Sequence, residues 1–202
     1  MKKKFCLSVL CFLFMGVVYA QTSNPFYWDL YIKKNPGDEA LDPGRTVFNL
    51  NTGESLNILT MPQTDCYCYI IHSGAEQGIV ILSDGLVQAE VEKSVTLPRN
   101  SGTDTVYIIL SLQRQTELEK LIMNYRRNPG SASNFRRVIS ELQRLQEETN
   151  GQGRPGARYS SLPGAVTRGS SPGPSEDGSS PPQGAIRYSG MERYVRIISV
   201  RR

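Results

Sequence analysis

Between residues 26 and 112 the chain is a succession of short β-type segments separated by turn residues, and this pattern limits the fold more than any other feature. In the first segment, Phe26, Trp28, Leu30 and Ile32 alternate with more polar side chains, which predicts a strand with one buried face. Many short strands of this kind are typical of a β-sandwich. Further strands are predicted over 46–50, 55–61, 66–72, 78–83, 86–91, 94–97 and 105–112.

Two of the predicted strands contain a run of successive apolar residues, over 79–82 and 106–110. Successive side chains of a strand point to opposite faces, so these runs are apolar on both faces. We therefore expect both segments to lie in the middle of a sheet that is covered on each side. Asp84 and Gly85 follow the first run and predict a turn before the next strand.

Two amphipathic helices are predicted after the strands, at about 115–127 and 133–149, because apolar residues recur there at helical spacing. Thr116 and Glu119 have the spacing of a capping box at the start of the first helix, and Ser133 is the candidate cap of the second. The outer faces carry arginine, glutamate and glutamine. We expect a helical hairpin that lies against the strands.

From residue 150 to 185 the chain is rich in glycine, serine and proline, with almost no apolar residues. Such a segment cannot bury enough surface to order its backbone, so we predict a disordered loop. Apolar alternation resumes at Ile186, and 186–202 is predicted to be a last strand. The predicted fold is mainly β: a β-sandwich over 21–149 with an inserted helical hairpin, then the disordered loop and a C-terminal strand that completes the domain.

The first twenty residues resemble a secretory signal peptide: lysines at positions 2–4 precede an uncharged apolar stretch, and Val18 and Ala20 stand at the positions that a signal peptidase reads. The stretch is too short to span a bilayer comfortably. A retained anchor, or a lipid on Cys6 or Cys11, is the alternative. We expect cleavage before Gln21, export to the periplasm or cell surface, and no transmembrane segment afterwards.

The formal net charge of the whole chain is +4, and removal of the three N-terminal lysines lowers it to +1. Residues 21–150 are acidic and residues 151–202 are basic, with the arginines of the second part scattered among glycine, serine and proline. Scattered arginines of this kind are more typical of a solvated tail than of a nucleic-acid-binding face. We therefore predict that the partner is not a nucleic acid.

His72 is the only histidine of the chain, so a serine or cysteine hydrolase mechanism would have to use it. It stands at a strand end before Ser73 and Gly74, where we expect an exposed turn. No nucleophile motif, glutamate-rich metal motif or glycine-rich phosphate loop accompanies it. We predict a protein without enzymatic activity, catalytic residues, bound metal or cofactor.

Five aromatic residues are candidate binding residues: Trp28, Tyr31, Tyr67, Tyr69 and Tyr107. Exposed rings stack well on the flat apolar faces of sugars. Tyrosines that alternate with apolar residues in strands are also typical of ordinary sheet packing, and the sequence leaves both interpretations open.

Cys66 and Cys68 are the cysteines that remain after the predicted cleavage, and a strand would place both on one face. Their separation would be at or beyond the usual limit for a disulfide, so a bond between them would require a distorted strand. Small buried side chains, a redox or disulfide pair, and a metal site with His72 are the three interpretations.

The order of these segments resembles a bacterial domain-of-unknown-function family, the one numbered 4384, over about residues 44–125. A turn at 53–58 is followed by the strand segments DCYCYII at 65–71, GIVIL at 78–82, VTLP at 95–98 and GTDTVYIILS at 102–111. The family is found in exported proteins and as an appendage of signalling or peptidase-type proteins. The resemblance implies an exported domain and supplies no catalytic residues.

Together these features predict an exported, non-catalytic interaction or assembly module of the bacterial cell envelope. We expect it to bind a protein or another envelope component through a sheet edge or loops. The alternative is a carbohydrate- or peptidoglycan-binding module that uses exposed aromatic residues.

Overall fold

The computed structural model of the protein describes residues 26–74, 78–98, 102–149, 154–158 and 184–202. The predicted signal peptide lies outside the described residues, and so does most of the loop predicted at 150–185.

The described residues form eleven strands and two helices. The strands are β1 (Phe26–Asn35), β2 (Ala40–Leu41), β3 (Val47–Asn49), β4 (Ser55–Pro62), β5 (Cys66–Gly74), β6 (Gly78–Val87), β7 (Lys93–Thr96), β8 (Thr103–Ser111), β9 (Arg154–Arg158), β10 (Ile186–Gly190) and β11 (Arg193–Arg201). The helices are α1 (Thr116–Arg127) and α2 (Ala132–Thr149), which confirms the predicted helical hairpin. Neither helix is both long and apolar enough to cross a bilayer.

The strands are arranged in two sheets. The first sheet has the order β7-β4-β1-β10-β9, with β2 also paired to β1. The second sheet has the order β3-β11-β8-β5-β6. All pairs are antiparallel except β3 with β11.

The main core lies between the two sheets. Trp28, Leu30 and Ile32 of β1 project into it from the first sheet, and they pack against Ile108 and Leu110 of β8 in the second. The alternation predicted for the first strand is therefore confirmed, and the predicted β-sandwich is confirmed with it. Burial of this continuous apolar layer is the main stabilising term of such a fold.

A second core lies on the other face of the second sheet. Leu118 and Ile122 of α1 and Leu142 of α2 pack there against Tyr69 and Ile109 of the sheet. The second sheet is thus covered on both faces, which confirms the expectation for 106–110 because β8 occupies the middle of that sheet.

The C-terminal part of the chain contains two strands where one was predicted. β10 pairs with β1 in the first sheet, and β11 pairs with β8 in the second. Met191 and Glu192 connect them, so β10 and β11, together called the terminal hairpin, pass from one sheet to the other. A single strand over 186–202 was wrong because Tyr188 and Tyr194 must enter the core from opposite sides.

Two further expectations were wrong. The segment Arg154–Arg158, which lies within the predicted disordered loop, forms β9 and pairs with β10, which supplies it with main-chain hydrogen-bond partners. Asp84 and Gly85 do not form a turn but continue β6, opposite Tyr69 and Cys68 of β5. A bulge at Leu82 absorbs the extra residue, and the Asp84 carboxylate lies 2.9 Å from the Arg126 guanidinium of α1.

The helix caps also differ from the prediction. α1 begins after Gln115 and has no side-chain cap, because Glu119 instead accepts hydrogen bonds from Tyr69 and Arg114. The start of α2 is capped by the Ser131 hydroxyl, which accepts a hydrogen bond from a backbone N–H two residues beyond the helix start.

Candidate functional site

His72 lies in a buried charged cluster at one end of the sandwich. It is fully buried on β5, next to Asp104 of β8, which is 1% exposed. The Nε2 atom of His72 lies 3.2 Å from Asp104 Oδ2, and Arg202 Nη1 donates to the same oxygen at 2.5 Å. Arg202 also donates to the carbonyl oxygen of Pro98 at 3.0 Å. The expected exposed turn at His72 is therefore wrong.

Strand parity explains this burial. Cys66, Cys68 and Ile70 point into the main core, and His72 continues the same face of β5. The ring is closed to solvent, and among the described residues its Nδ1 atom has no hydrogen-bond partner. A general base must reach the proton that it abstracts. The geometry suits a structural tie between β5, β8 and the end of β11 rather than proton transfer to a ligand.

The candidate binding aromatics do not form a platform. Trp28 and Tyr69 are fully buried and Tyr107 is 6% exposed, which agrees with the sheet-packing interpretation for these three residues. Tyr31 and Tyr67 are half-buried, but they belong to β1 and β5 in different sheets. Both faces of the second sheet are covered, so Tyr69 and Tyr107 are buried, although strand parity alone would leave rings on its outer face half-exposed.

Trp28 instead belongs to an aromatic cluster inside the sandwich. Its ring lies 4.7 Å from Phe26, 6.0 Å from Tyr188 and 4.5 Å from Tyr194, measured between ring centroids. Arg196 donates to the hydroxyls of both tyrosines. The cluster holds the terminal hairpin against β1, and its function is packing.

Cys66 and Cys68 are both free and fully buried, on the face of β5 that lines the main core. Burial raises the pKa of each thiol to about 12, so both remain protonated at neutral pH. The structure therefore places them as small core side chains, without the disulfide that was one interpretation. No group of metal-ligating residues includes them within the described part of the chain.

An accessible feature of the described residues is the outer edge of β6, ten residues long. Within the described residues β6 pairs with β5 alone, so its other side carries backbone groups without a sheet partner. Leu86 of β6 is 58% exposed, and it lies directly across from the half-buried Tyr67. Val91, which follows β6, is 48% exposed. We call this outer side of β6 the β6 edge, and the apolar surface beside it includes Tyr67, Leu86 and Val91.

The two halves of this edge differ. Near its start, the backbone N–H of Ile79 donates to the hydroxyl of Tyr125 at 3.0 Å, so α1 satisfies part of the edge. After the bulge at Leu82, the edge from Ser83 to Val87 pairs with no strand of the described chain other than β5, and Arg126 of α1 contacts it through the ion pair with Asp84. This second half is therefore the open part of the edge.

Sequence reasoning missed this surface because strand order cannot be read from periodicity. The apolar run 79–82 predicted a central strand, and the structure places it at an edge. The signal that could have been used was Leu86, an apolar residue after a polar Asp-Gly pair.

The fold defines the chain as a two-sheet β-sandwich with a helical hairpin over one sheet. Comparison of the chain with protein-family models, with curated proteins and with solved structures found no match.

Proposed function

We propose that the protein is an exported, non-catalytic interaction module of the bacterial cell envelope that binds a protein partner by pairing a strand with the β6 edge. The observation that carries the proposal is the outer edge of β6 from Ser83 to Val87, which pairs with no strand of the described residues other than β5 and exposes Leu86. The charged residue of this segment, Asp84, is already paired with Arg126 of α1. Proteins usually protect such edges with short strands, charges or proline, because an open edge recruits another strand.

The other sheet edges provide the comparison. β3, β7 and β9 have three, four and five residues, whereas β6 has ten, of which the segment from Ser83 to Val87 is open. A partner strand on the open half of β6 would gain main-chain hydrogen bonds along its length and would cover Leu86. The exposed side chain of Leu86 would then act as an apolar anchor next to Tyr67.

Two features support a function without catalysis. The single histidine is closed to solvent by the sandwich, and both described cysteines are protonated core side chains. Export is supported by the signal-like sequence of the first twenty residues. The resemblance to the exported family numbered 4384 agrees with the same location.

The test is site-specific cross-linking in cells that produce the chain with its leader. A photoreactive amino acid replaces Leu86 in one variant and Val47 in the control, since Val47 is 40% exposed on β3, at the opposite edge of the same sheet. We expect one protein partner to be cross-linked at position 86 and not at position 47. Equal labelling at both positions, or none at position 86, would contradict the proposal.

The captured partner is then purified, and its affinity is measured with Leu86→Lys and with Val47→Lys. Covering the exposed 58% of Leu86 contributes about 1–2 kcal/mol, which corresponds to a change of about five- to thirtyfold in the dissociation constant. A lysine on the edge also opposes strand pairing. Only Leu86→Lys should therefore weaken binding. Unchanged affinity for that variant would refute the assignment of the edge.

A further inference from the structure

The helical hairpin carries a second surface, a groove between the exposed sides of α1 and α2. The groove has a volume of about 620 Å³, and its walls include Leu121 of α1 and Arg136, Arg137 and Arg144 of α2. A smaller groove of about 230 Å³ shares Arg144 with it and continues toward Arg193. Together they follow the length of α2.

The charges of α2 run against its own dipole. Its first turn has no acidic residue and its last turn has no basic one. Instead Arg136 and Arg137 follow the first turn, and Glu147 and Glu148 stand in the last. A helix is stabilised by the opposite arrangement. α1 has that arrangement, with acidic residues in its first turn and basic residues in its last.

Arg136 and Arg137 retain unused donors. The Nε atom of Arg136 donates to the carbonyl oxygen of Ala132, which brings its side chain back over the start of the helix. Within the described residues Arg137 makes neither an ion pair nor a hydrogen bond through its side chain. Both side chains are exposed. An arginine guanidinium presents five donors in a planar fork that fits a carboxylate.

The acidic residues of the groove do not neutralise these two arginines. Glu117 is paired with Lys120 at 3.4 Å, and Glu141 with Arg144 at 2.6 Å. Because these carboxylates lie along the middle of the groove, they would repel a chain that is negatively charged at every unit. The positive charge is therefore local, at the end formed by the first turns of α2.

From this arrangement we infer that the groove binds an acidic peptide segment of a protein partner, with its carboxylates on Arg136 and Arg137 and its apolar side chains on Leu121. The groove follows α2 from Ser133 to Glu148, about 22 Å at 1.5 Å per residue, which corresponds to about seven residues of extended peptide. This inference does not depend on the β6 edge, which lies on a different element.

The test uses a fluorescein-labelled peptide of about seven residues, in which three acidic residues precede a segment of leucine and serine residues. The full mature chain is titrated into the peptide, and binding is followed by fluorescence anisotropy. We expect saturable binding, loss of binding when lysines replace the acidic residues, and at least tenfold weaker binding by the variant Arg136→Ala/Arg137→Ala. The control variant Arg127→Ala/Arg201→Ala removes the same charge from exposed residues that do not line the groove, and it should bind as the wild type does.

Three results would overturn the inference. The first is that the wild type shows no saturable binding, and the second is that both double variants lose affinity equally. The third is that polyglucuronate or inorganic phosphate displaces the labelled peptide as effectively as the unlabelled peptide does. Thermal unfolding provides the folding control. Because Arg136 and Arg137 oppose the dipole of α2, their removal should leave the melting temperature unchanged or raise it. A clear decrease would show that they stabilise the fold through intramolecular contacts beyond the hydrogen bond of Arg136 to Ala132, and it would also refute the inference.

Discussion

Replacement of Asp104 by alanine should destabilise the sandwich strongly. Asp104 is 1% exposed, and its Oδ2 atom accepts from Arg202 at 2.5 Å and lies 3.2 Å from the His72 ring. Asp104→Ala would leave the Arg202 guanidinium, 7% exposed at its side chain, without its carboxylate. Removal of one member of a buried ion pair decreases the free energy of unfolding by about 3–5 kcal/mol.

The structure places the expected loss near the lower end of this range, because Arg202 keeps its hydrogen bond to the carbonyl oxygen of Pro98. A loss of about 3 kcal/mol is a large part of the 5–15 kcal/mol that typically stabilises a domain. With a denaturant slope of about 2 kcal/mol per molar urea, the unfolding midpoint should fall by about 1.5 M.

Urea unfolding followed by the fluorescence of Trp28, the only tryptophan, measures this shift. The matched control is Glu117→Ala, which removes a carboxylate from an ion pair whose side chains are 59% and 71% exposed. Exposed pairs of this kind contribute little to stability. If the two variants had the same midpoint, the cluster around Asp104 would not be the structural tie that we describe.

Further predictions concern the core and the terminal hairpin. Cys66 and Cys68 should not react with a thiol reagent in the native protein at pH 8. Rapid labelling of the native protein would contradict this burial. Because burial raises the pKa of both thiols to about 12, only the unfolded thiols ionise between about pH 9 and 12, and the free energy of unfolding should fall over that range. Gly190→Ala places a methyl group 3.2 Å from a buried aromatic ring and should destabilise the protein by about 1–3 kcal/mol in the same urea assay. Arg187→Ala removes two hydrogen bonds from the buried Asp29 carboxylate, so the urea midpoint should fall, and an unchanged midpoint would refute the role of this pair.

Local sequence patterns were sufficient where one face of an element is buried. The alternation from Phe26 to Ile32 predicted β1, because each apolar residue of that strand faces the main core. The helical hairpin was equally clear from apolar residues at helical spacing, since both helices have one buried stripe. In these elements tertiary packing and local preference agree.

Local patterns failed where a contact from a distant element decides the conformation. Asp84 and Gly85 have the composition of a turn, but the ion pair of Asp84 with Arg126 and the pairing of Gly85 with Cys68 keep β6 extended. The segment Arg154–Arg158 is a strand only because β10 supplies its hydrogen-bond partners. Preference for a strand depends on such context more than preference for a helix does.

The candidate sites were harder to predict than the fold. Parity along β5 could have predicted that His72 is buried, because it shares a face with Cys68 and Ile70. It could not show that Asp104 and Arg202, from distant strands, would lie next to it. Exposure of an edge likewise depends on strand order, which a single sequence does not specify.

The most direct test of the proposed function is hydrogen–deuterium exchange of the mature chain, measured alone and in a non-covalent complex with the purified partner that cross-linking at position 86 identifies. Pairing of a partner strand with β6 would protect the backbone amides of its open half, from Ser83 to Val87. We predict that protection increases in this segment and that the amides of β3 and β7 are unchanged. If the partner protected other segments and left β6 unaffected, the β6 edge would not be the binding site.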